Sequence, residues 1–332
     1  MPKTHNKAST RAPGAAGETD DLAALTDLAT RSLIGQGVPR DPEDGMRRLR
    51  AAVEAGGGEA ATRLAALSGV GAWTPQSWDD ALDWLERGAI LGSRSARGQL
   101  SILARSCSQP PPDDTDWSSL RRGVDLSPWF TTPDRTVLCK SPKVRGSGRF
   151  VAPAVCDWLI KSVRGRVRPA KMYHADSKVE VFDPHRTCGD FEFDIFSADL
   201  ILALLRARIS AATGLPIAVM EPPRIFHYTQ GQEIKPHYDR CNDGFGGYGA
   251  DGVYQGDRIV TFLLYLNDDF DGGDLDFPKV GRRFKGRTGD AVYFAHVEVA
   301  GKPDPNSLHA GLPIGRGEKY VLSQWIHDRA LV

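Results

Sequence analysis

No CxxC pair occurs among the five cysteines of this chain, and Cys107, Cys139, Cys156, Cys188 and Cys241 are widely scattered. An odd, dispersed set excludes a disulfide framework and predicts a reduced, cytoplasmic setting. Charge of one sign is equally missing, because 42 lysines and arginines balance 42 aspartates and glutamates without a long like-charge block. That balance argues against a dedicated nucleic-acid or membrane-surface protein. No apolar run approaches the roughly 18 residues that a membrane helix needs. Residues 1–20 are polar, small and without the apolar stretch of a secretory signal, and are expected to be disordered. What is present is a normal hydrophobic share of 41% and a length of 332 residues, more than one average domain.

Residues 21–108 are rich in alanine and leucine at helical spacing, and they repeat. A shift of 36 residues places Met46 on Leu82, Leu49 on Leu85, Gly56 on Gly92, Ala60 on Ala96 and Leu64 on Leu100. The preceding helix fits the same register, with Ala24 and Leu28 ahead of Ala60 and Leu64. Small residues let paired helices approach closely while the leucines supply a buried stripe. The run from Gly35 to Pro39 ends one helix and Asp41-Pro42 opens the next, whereas the second unit has lost the glycine-rich turn. Gln109-Pro110-Pro111-Pro112-Asp113-Asp114 terminates the helices, so 109–144 is expected as a linker and 145–332 as the second domain. In that domain Phe150 to Val163 leads into a helix and Ala198 to Thr213 forms another. Runs rich in β-branched and aromatic residues follow at Arg224–Tyr228, Arg258–Leu266, Ala291–Phe294 and Lys319–His327. The order predicts an α+β fold with a sheet-built site, preceded by a small all-α helical-repeat domain.

The chemistry lies in His237-Tyr238-Asp239, followed by His309 and then Lys319. On a strand the first and third residues share a face, so His237 and Asp239 reach one metal while Tyr238 points away. Two imidazoles and a carboxylate bind one face of a ferrous ion and leave positions open for an oxidisable cosubstrate and dioxygen. An isolated HxD arises by chance in a chain of this length. The ordered neighbours separate this one from coincidence.

Those neighbours are Tyr228-Thr229-Gln230-Gly231-Gln232, the run Arg258 to Asn267, Gly272-Gly273-Asp274 and Gly289-Asp290-Ala291-Val292-Tyr293-Phe294. Then come Ser307-Leu308-His309-Ala310-Gly311, Gly317-Glu318-Lys319 and Trp325-Ile326-His327, with Arg186-Thr187-Cys188 upstream. From about residue 145 to 329 the set resembles the catalytic domain of the prolyl 4-hydroxylases, members of the iron(II)- and 2-oxoglutarate-dependent dioxygenases. The resemblance implies a double-stranded β-helix, or jelly-roll, oxygenase core with supporting helices. It implies His237, Asp239 and His309 as catalytic iron(II) ligands and Lys319 as partner of the distal carboxylate of 2-oxoglutarate, with Tyr228 as hydroxyl partner. It further implies O2 as cosubstrate, ascorbate as reductant, and Arg186, Arg258 and Trp325 along the substrate. The segment from Gly35 to Leu67 resembles the Sel-type relatives of tetratricopeptide repeats, which implies a protein partner; a plain packing domain is the other reading.

Substrate-facing positions depart from the family. Ile234 stands where relatives carry an aromatic ring, Leu275 replaces a threonine, and 242–257 is a glycine-rich insertion bearing Tyr248 and Tyr254, either a lid or a surface hairpin. A prolyl residue in a peptide or protein is the first expectation. Hydroxylation of a free cyclic amino acid or small biosynthetic peptide stays open, as does an inactive oxygenase serving as a binding module. His296 and His327 are expected to be structural, while His174 and His185 fall in the segment of the substrate loops.

Overall fold

The computed structural model of the chain describes residues 16–104, 115–174, 179–182, 185–240 and 256–330. They fall into two units, Met1–Asp125 with Asp199–Ala203, and Leu126–Ala198 with Leu204–Val332. The expected disordered start (largely 1–15), the run 109–114 and positions 242–255 of the insertion lie outside the described residues.

In the first unit the period of 36 sets the helices α1 (Ala16–Ile34), α2 (Pro42–Glu54), α3 (Gly58–Val70), α4 (Trp78–Ile90) and α5 (Arg94–Leu103). Shifting both ends of α2 by 36 gives both ends of α4. Each of α2, α4 and α5 opens on an oxygen cap, with Asp41, Ser77 and Ser93 accepting from the amides of Asp44, Asp80 and Ala96. The expected stripe is buried at Met46, Leu49, Ala60, Leu64 and their repeat partners. Ala24 and Leu28 depart from it. They are exposed while Ala29 and Leu33 are buried, because α1 ends the stack and packs by one side on α2. The turn that lost its glycine keeps its path, since φ is 70° at Gly37 and 55° at Trp73, one period later. A non-glycine residue there costs about 1–2 kcal/mol. Part of the expected linker carries structure of its own. It holds α6 (Trp117–Arg122), α7 (Ser127–Phe130) and β1 (Thr136–Cys139), and Trp117 is buried beneath the Arg97 guanidinium. No helix among the described residues is long and apolar enough to cross a membrane.

The second unit continues with β2 (Val144–Ser147), α8 (Pro153–Val163), β3 (Arg168–Pro169), β4 (Lys171–His174), β5 (Val179–Phe182), β6 (Gly189–Glu192) and α9 (Leu200–Thr213). Then come β7 (Arg224–Tyr228), β8 (Ile234–His237), β9 (Arg258–Tyr265), β10 (Asp271–Gly272), β11 (Leu275–Phe277) and β12 (Arg282–Phe284). The chain ends with β13 (Ala291–Ala295), β14 (His309–Gly311), β15 (Ile314–Arg316) and β16 (Lys319–His327). An eight-stranded sheet of order β1-β2-β13-β9-β16-β7-β6-β3 and a four-stranded sheet of order β12-β11-β14-β8 carry the architecture, and their paired strands are all antiparallel. Phe226, Tyr265, Phe277, Phe294 and Trp325 belong to the core shared by the two sheets. The other face of the large sheet meets the helical layer, with Phe262 against Phe150 at 5.0 Å between ring centroids. This is the jelly-roll oxygenase core that the resemblance implied.

The helical packing has a direct check. A Cβ at Gly88 would lie 2.9 Å from the Ala96 Cβ and 3.1 Å from the Gly58 carbonyl oxygen. Gly88→Val is therefore expected to lower stability by about 1–3 kcal/mol, read as an earlier midpoint in urea unfolding. An unchanged midpoint would show that the helices are not in close contact there.

Candidate active site

Strand alternation builds one wall of the cavity. β16 turns Lys319, Val321, Ser323 and Trp325 inward, β7 turns Phe226 and Tyr228, and β9 turns Thr261 and Leu263. The small sheet supplies His237 and His309, which sit directly opposite each other in the β8–β14 pairing. Between Ile234 and His237 the register slips by one residue, so a bulge at Lys235-Pro236 brings both of those side chains to the cavity. Pro236 has no amide proton to lose from the ladder, which suits it to a bulge on an edge strand.

Asp239 lies two residues beyond the end of β8, yet its ligand atom and those of His237 and His309 all lie within 4.8 Å of one another. The Nδ1 of His237 meets the Lys235 carbonyl at 2.8 Å, and that of His309 meets the Ser307 carbonyl at 3.0 Å. A carbonyl only accepts, so both rings carry their proton on Nδ1 and present a bare Nε2 to the cluster. Burial pushes the His309 imidazole down to about 3, keeping it neutral. Burial also works against ionisation of Asp239, and the Thr261 hydroxyl, 2.5 Å from Oδ2, favours the carboxylate. Bare nitrogens thus face a carboxylate at 3.4 and 3.5 Å with no proton to share. That donor set fits a divalent cation, and iron(II) is one that it suits.

Lys319 is buried directly opposite Tyr228 across the β16–β7 pair. Its Nζ donates to the Gly273 carbonyl at 2.7 Å and lies 5.2 and 5.5 Å from the Tyr228 and Tyr265 ring centroids. Position 273 is best served by glycine. Its φ is 69°, and a Cβ would meet Ile314 at 2.4 Å. Among the described residues no carboxylate lies within ion-pair distance of Lys319, and burial lowers its ammonium from 10.5 to about 8. Burial likewise raises the Tyr228 phenol well above its usual value, and the nearby Cys188 thiol adds to the rise.

The expected substrate residues divide. Arg186 and Trp325 line the cavity, and the Arg186 Nε and Trp325 Nε1 are buried donors without a partner among the described residues. Arg186 is placed by lacing its loop onto the outer edge of β8, where the Lys235 amide donates to the His185 carbonyl at 2.9 Å. Arg258 stands behind the wall. It grips Glu221 through Nε and Nη2 at 2.5 and 2.8 Å and lies 4.0 Å over the Trp325 ring. Glu221, to which the sequence assigns no role, also meets His327, and these two partners hold its carboxyl down to about 2 although burial pushes upward. Thr261 was missed as well. Its hydroxyl lies 2.5 Å from Asp239 Oδ2 and 2.7 Å from the fully buried His296. Nothing in the spacing signals Thr261, because it reaches Asp239 only through the folded sheet.

Residues 223–327 match the 2OG-Fe(II) oxygenase superfamily. The chain is 30% identical over 234 residues to the probable prolyl 4-hydroxylase 7 of Arabidopsis thaliana, covering 65% of this chain and 72% of that protein. It is 31% identical over 203 residues to the probable prolyl 4-hydroxylase 6 of the same plant, covering 54% and 67%. Among solved structures it is similar to the viral collagen prolyl hydroxylase vCPH from Paramecium Bursaria Chlorella virus-1 in its 2OG complex. There the TM-score is 0.43 at 22% identity, covering 57% of this chain and 98% of that one.

The buried ammonium makes a two-sided prediction. Its pKa is lower folded than unfolded, so the penalty is complete below pH 8 and is relieved as pH rises through about 8 toward 10.5. Lys319→Met should therefore raise stability at pH 7 by up to about 3 kcal/mol, with the gain shrinking by pH 9.5 in paired thermal melts. The same change should weaken 2-oxoglutarate binding by about 10- to 100-fold, the worth of a hydrogen bond to a charged group. Equal affinity in titration calorimetry would remove Lys319 from the site.

Proposed function

Because the chain belongs to the prolyl 4-hydroxylase family of iron(II)- and 2-oxoglutarate-dependent dioxygenases, we propose that it hydroxylates prolyl residues in a peptide or protein. In this reading His237, Asp239 and His309 hold iron(II), and Lys319 with Tyr228 receives the distal carboxylate of 2-oxoglutarate. The carrying observation is the pairing of a His-Asp-His cluster that turns unprotonated atoms toward one another with a buried lysine that, among the described residues, has no carboxylate within ion-pair distance. When bound, the metal and cosubstrates supply an oxidant that couples decarboxylation to succinate with hydroxylation of an unactivated C–H bond. The chain's own part is to keep the His309 imidazole neutral, orient the carboxylate and exclude water. Arg186 and Trp325 offer unpaired donors to substrate carbonyl groups, and Arg258 braces the Trp325 ring. Ile234 and Leu275 both line the cavity, and their aliphatic shape supports a free cyclic amino acid as the second reading. Ascorbate as accessory reductant and a cytoplasmic setting belong to the same proposal.

Anaerobic addition of iron(II) and 2-oxoglutarate should give a visible charge-transfer band, and oxygen should then yield succinate. Proline-containing peptides should stimulate succinate formation and gain the mass of one oxygen atom, and Asp239→Ala should abolish band and turnover. Turnover surviving in that variant would move the metal elsewhere.

The helical hairpins we take as Sel-type repeats that hold a protein partner. Support comes from the 36-residue period and from a pocket of about 440 Å³ lined by Met46, Arg50, Leu64, Asp83 and Trp84. Trp84→Ala should then raise KM for a protein substrate while sparing short peptides. An equal effect on both would favour a packing role.

A further inference from the structure

His296 is the one described histidine near the cluster whose protonation pattern is reversed. A hydroxyl has a single proton, and Thr261 Oγ1 lies 2.5 Å from Asp239 Oδ2, an ionised oxygen that can only accept. The Thr261 proton therefore points at Asp239. His296 Nε2, 2.7 Å from the same hydroxyl, faces its lone pair and must itself carry a proton. His237 and His309 do the opposite, donating through Nδ1 and baring Nε2. His296 is thus a donor where they are ligands.

The cost of this arrangement is visible. With the proton on Nε2, His296 Nδ1 is a bare acceptor, and it is buried with no partner among the described residues. Leaving such a group unpaired costs about 1–3 kcal/mol, which an apolar ring of similar shape would avoid. The ring is nonetheless held in place from both sides by its own backbone. Its amide donates to the Ile259 carbonyl at 2.9 Å, and its carbonyl accepts from the Asp304 amide at 2.9 Å.

We propose that His296, acting through Thr261, is a positioning residue for Asp239. It orients the Thr261 hydroxyl toward Oδ2 and leaves Oδ1, which receives no hydroxyl, as the oxygen free to bind metal. The inference rests on the proposed metal site and extends it to two residues outside the ligand set. Groups that orient a metal ligand in this way are worth about 10- to 100-fold in metal affinity.

The test titrates the full chain with cobalt(II) under visible absorption, with near-UV circular dichroism to establish folding. Thr261→Val and His296→Phe should each weaken cobalt binding by about 10- to 100-fold. The double variant should bind no worse than Thr261→Val, because His296 Nε2 lies 3.7 Å from Asp239 Oδ2, beyond hydrogen-bond reach, and acts on it through the hydroxyl. Thr261→Ser and His296→Gln, which restore the hydroxyl and the donor, should recover most of the affinity. His296→Phe binding cobalt as tightly as the unsubstituted chain, or losses that simply add in the double variant, would overturn the proposal. Should His296→Phe not fold, a folded His296→Gln as weak as Thr261→Val would overturn it equally. An unsubstituted chain that binds no cobalt would instead sink the metal site itself.

Discussion

Lone pairs held face to face are the constraint on which this fold turns. His237 and His309 spend their Nδ1 protons on backbone carbonyls two residues before them. Their bare nitrogens then meet the Asp239 carboxylate in a buried corner where nothing among the three can donate. Such a cluster repels itself, and only a stiff frame keeps it assembled. The frame is the β8–β14 pairing together with aromatic walls. Phe294 stands edge-on to the His309 ring at 4.7 Å, and Phe277 lies 6.0 Å away. The core is thus arranged to resist relaxation at the one place where relaxation would be favourable, and a cation turns the same repulsion into binding energy.

Each of the two sheets gives the cavity one directly opposed pair, His237 with His309 from the small sheet and Lys319 with Tyr228 from the large one. The pairs have opposite electrical character. One is a set of electron donors, the other a cation beside a phenol whose proton burial makes hard to lose. A molecule with a chelating end and an anionic end matches both at once. The two pairs come from different strands of different sheets, so neither specifies the ligand until the sheets close on each other.

Much of this was legible beforehand, and the gaps have physical causes. The 36-residue period recurs in the bounds of α2 and α4 because every hairpin solves the same local packing problem. It misplaced the buried side of α1 because the end of a stack has one neighbour instead of two. The HxD pair was readable from strand geometry, although Asp239 sits past the strand, since an extended chain keeps its alternation for a residue or two. The bulge at Lys235-Pro236 was not readable, as strict alternation would have put Ile234 and His237 on opposite faces. Arg258 matched a family position, yet its guanidinium is taken by Glu221, a partner that only the folded chain brings near. Thr261 and His296, 35 residues apart, have no spacing that announces them.

The pairing of His237 with His309 has a further consequence for how the chain matures. A slip of one residue between β8 and β14 would turn an imidazole to the wrong side, and the bulge must absorb its extra residue at one place for both rings to face inward. Pro236, unable to donate to the ladder, marks that place. Only a correctly zipped small sheet can therefore take up metal, while every slipped alternative forgoes that stabilisation. At the proposed metal site, ion binding would thus favour the correct strand register over every slipped one.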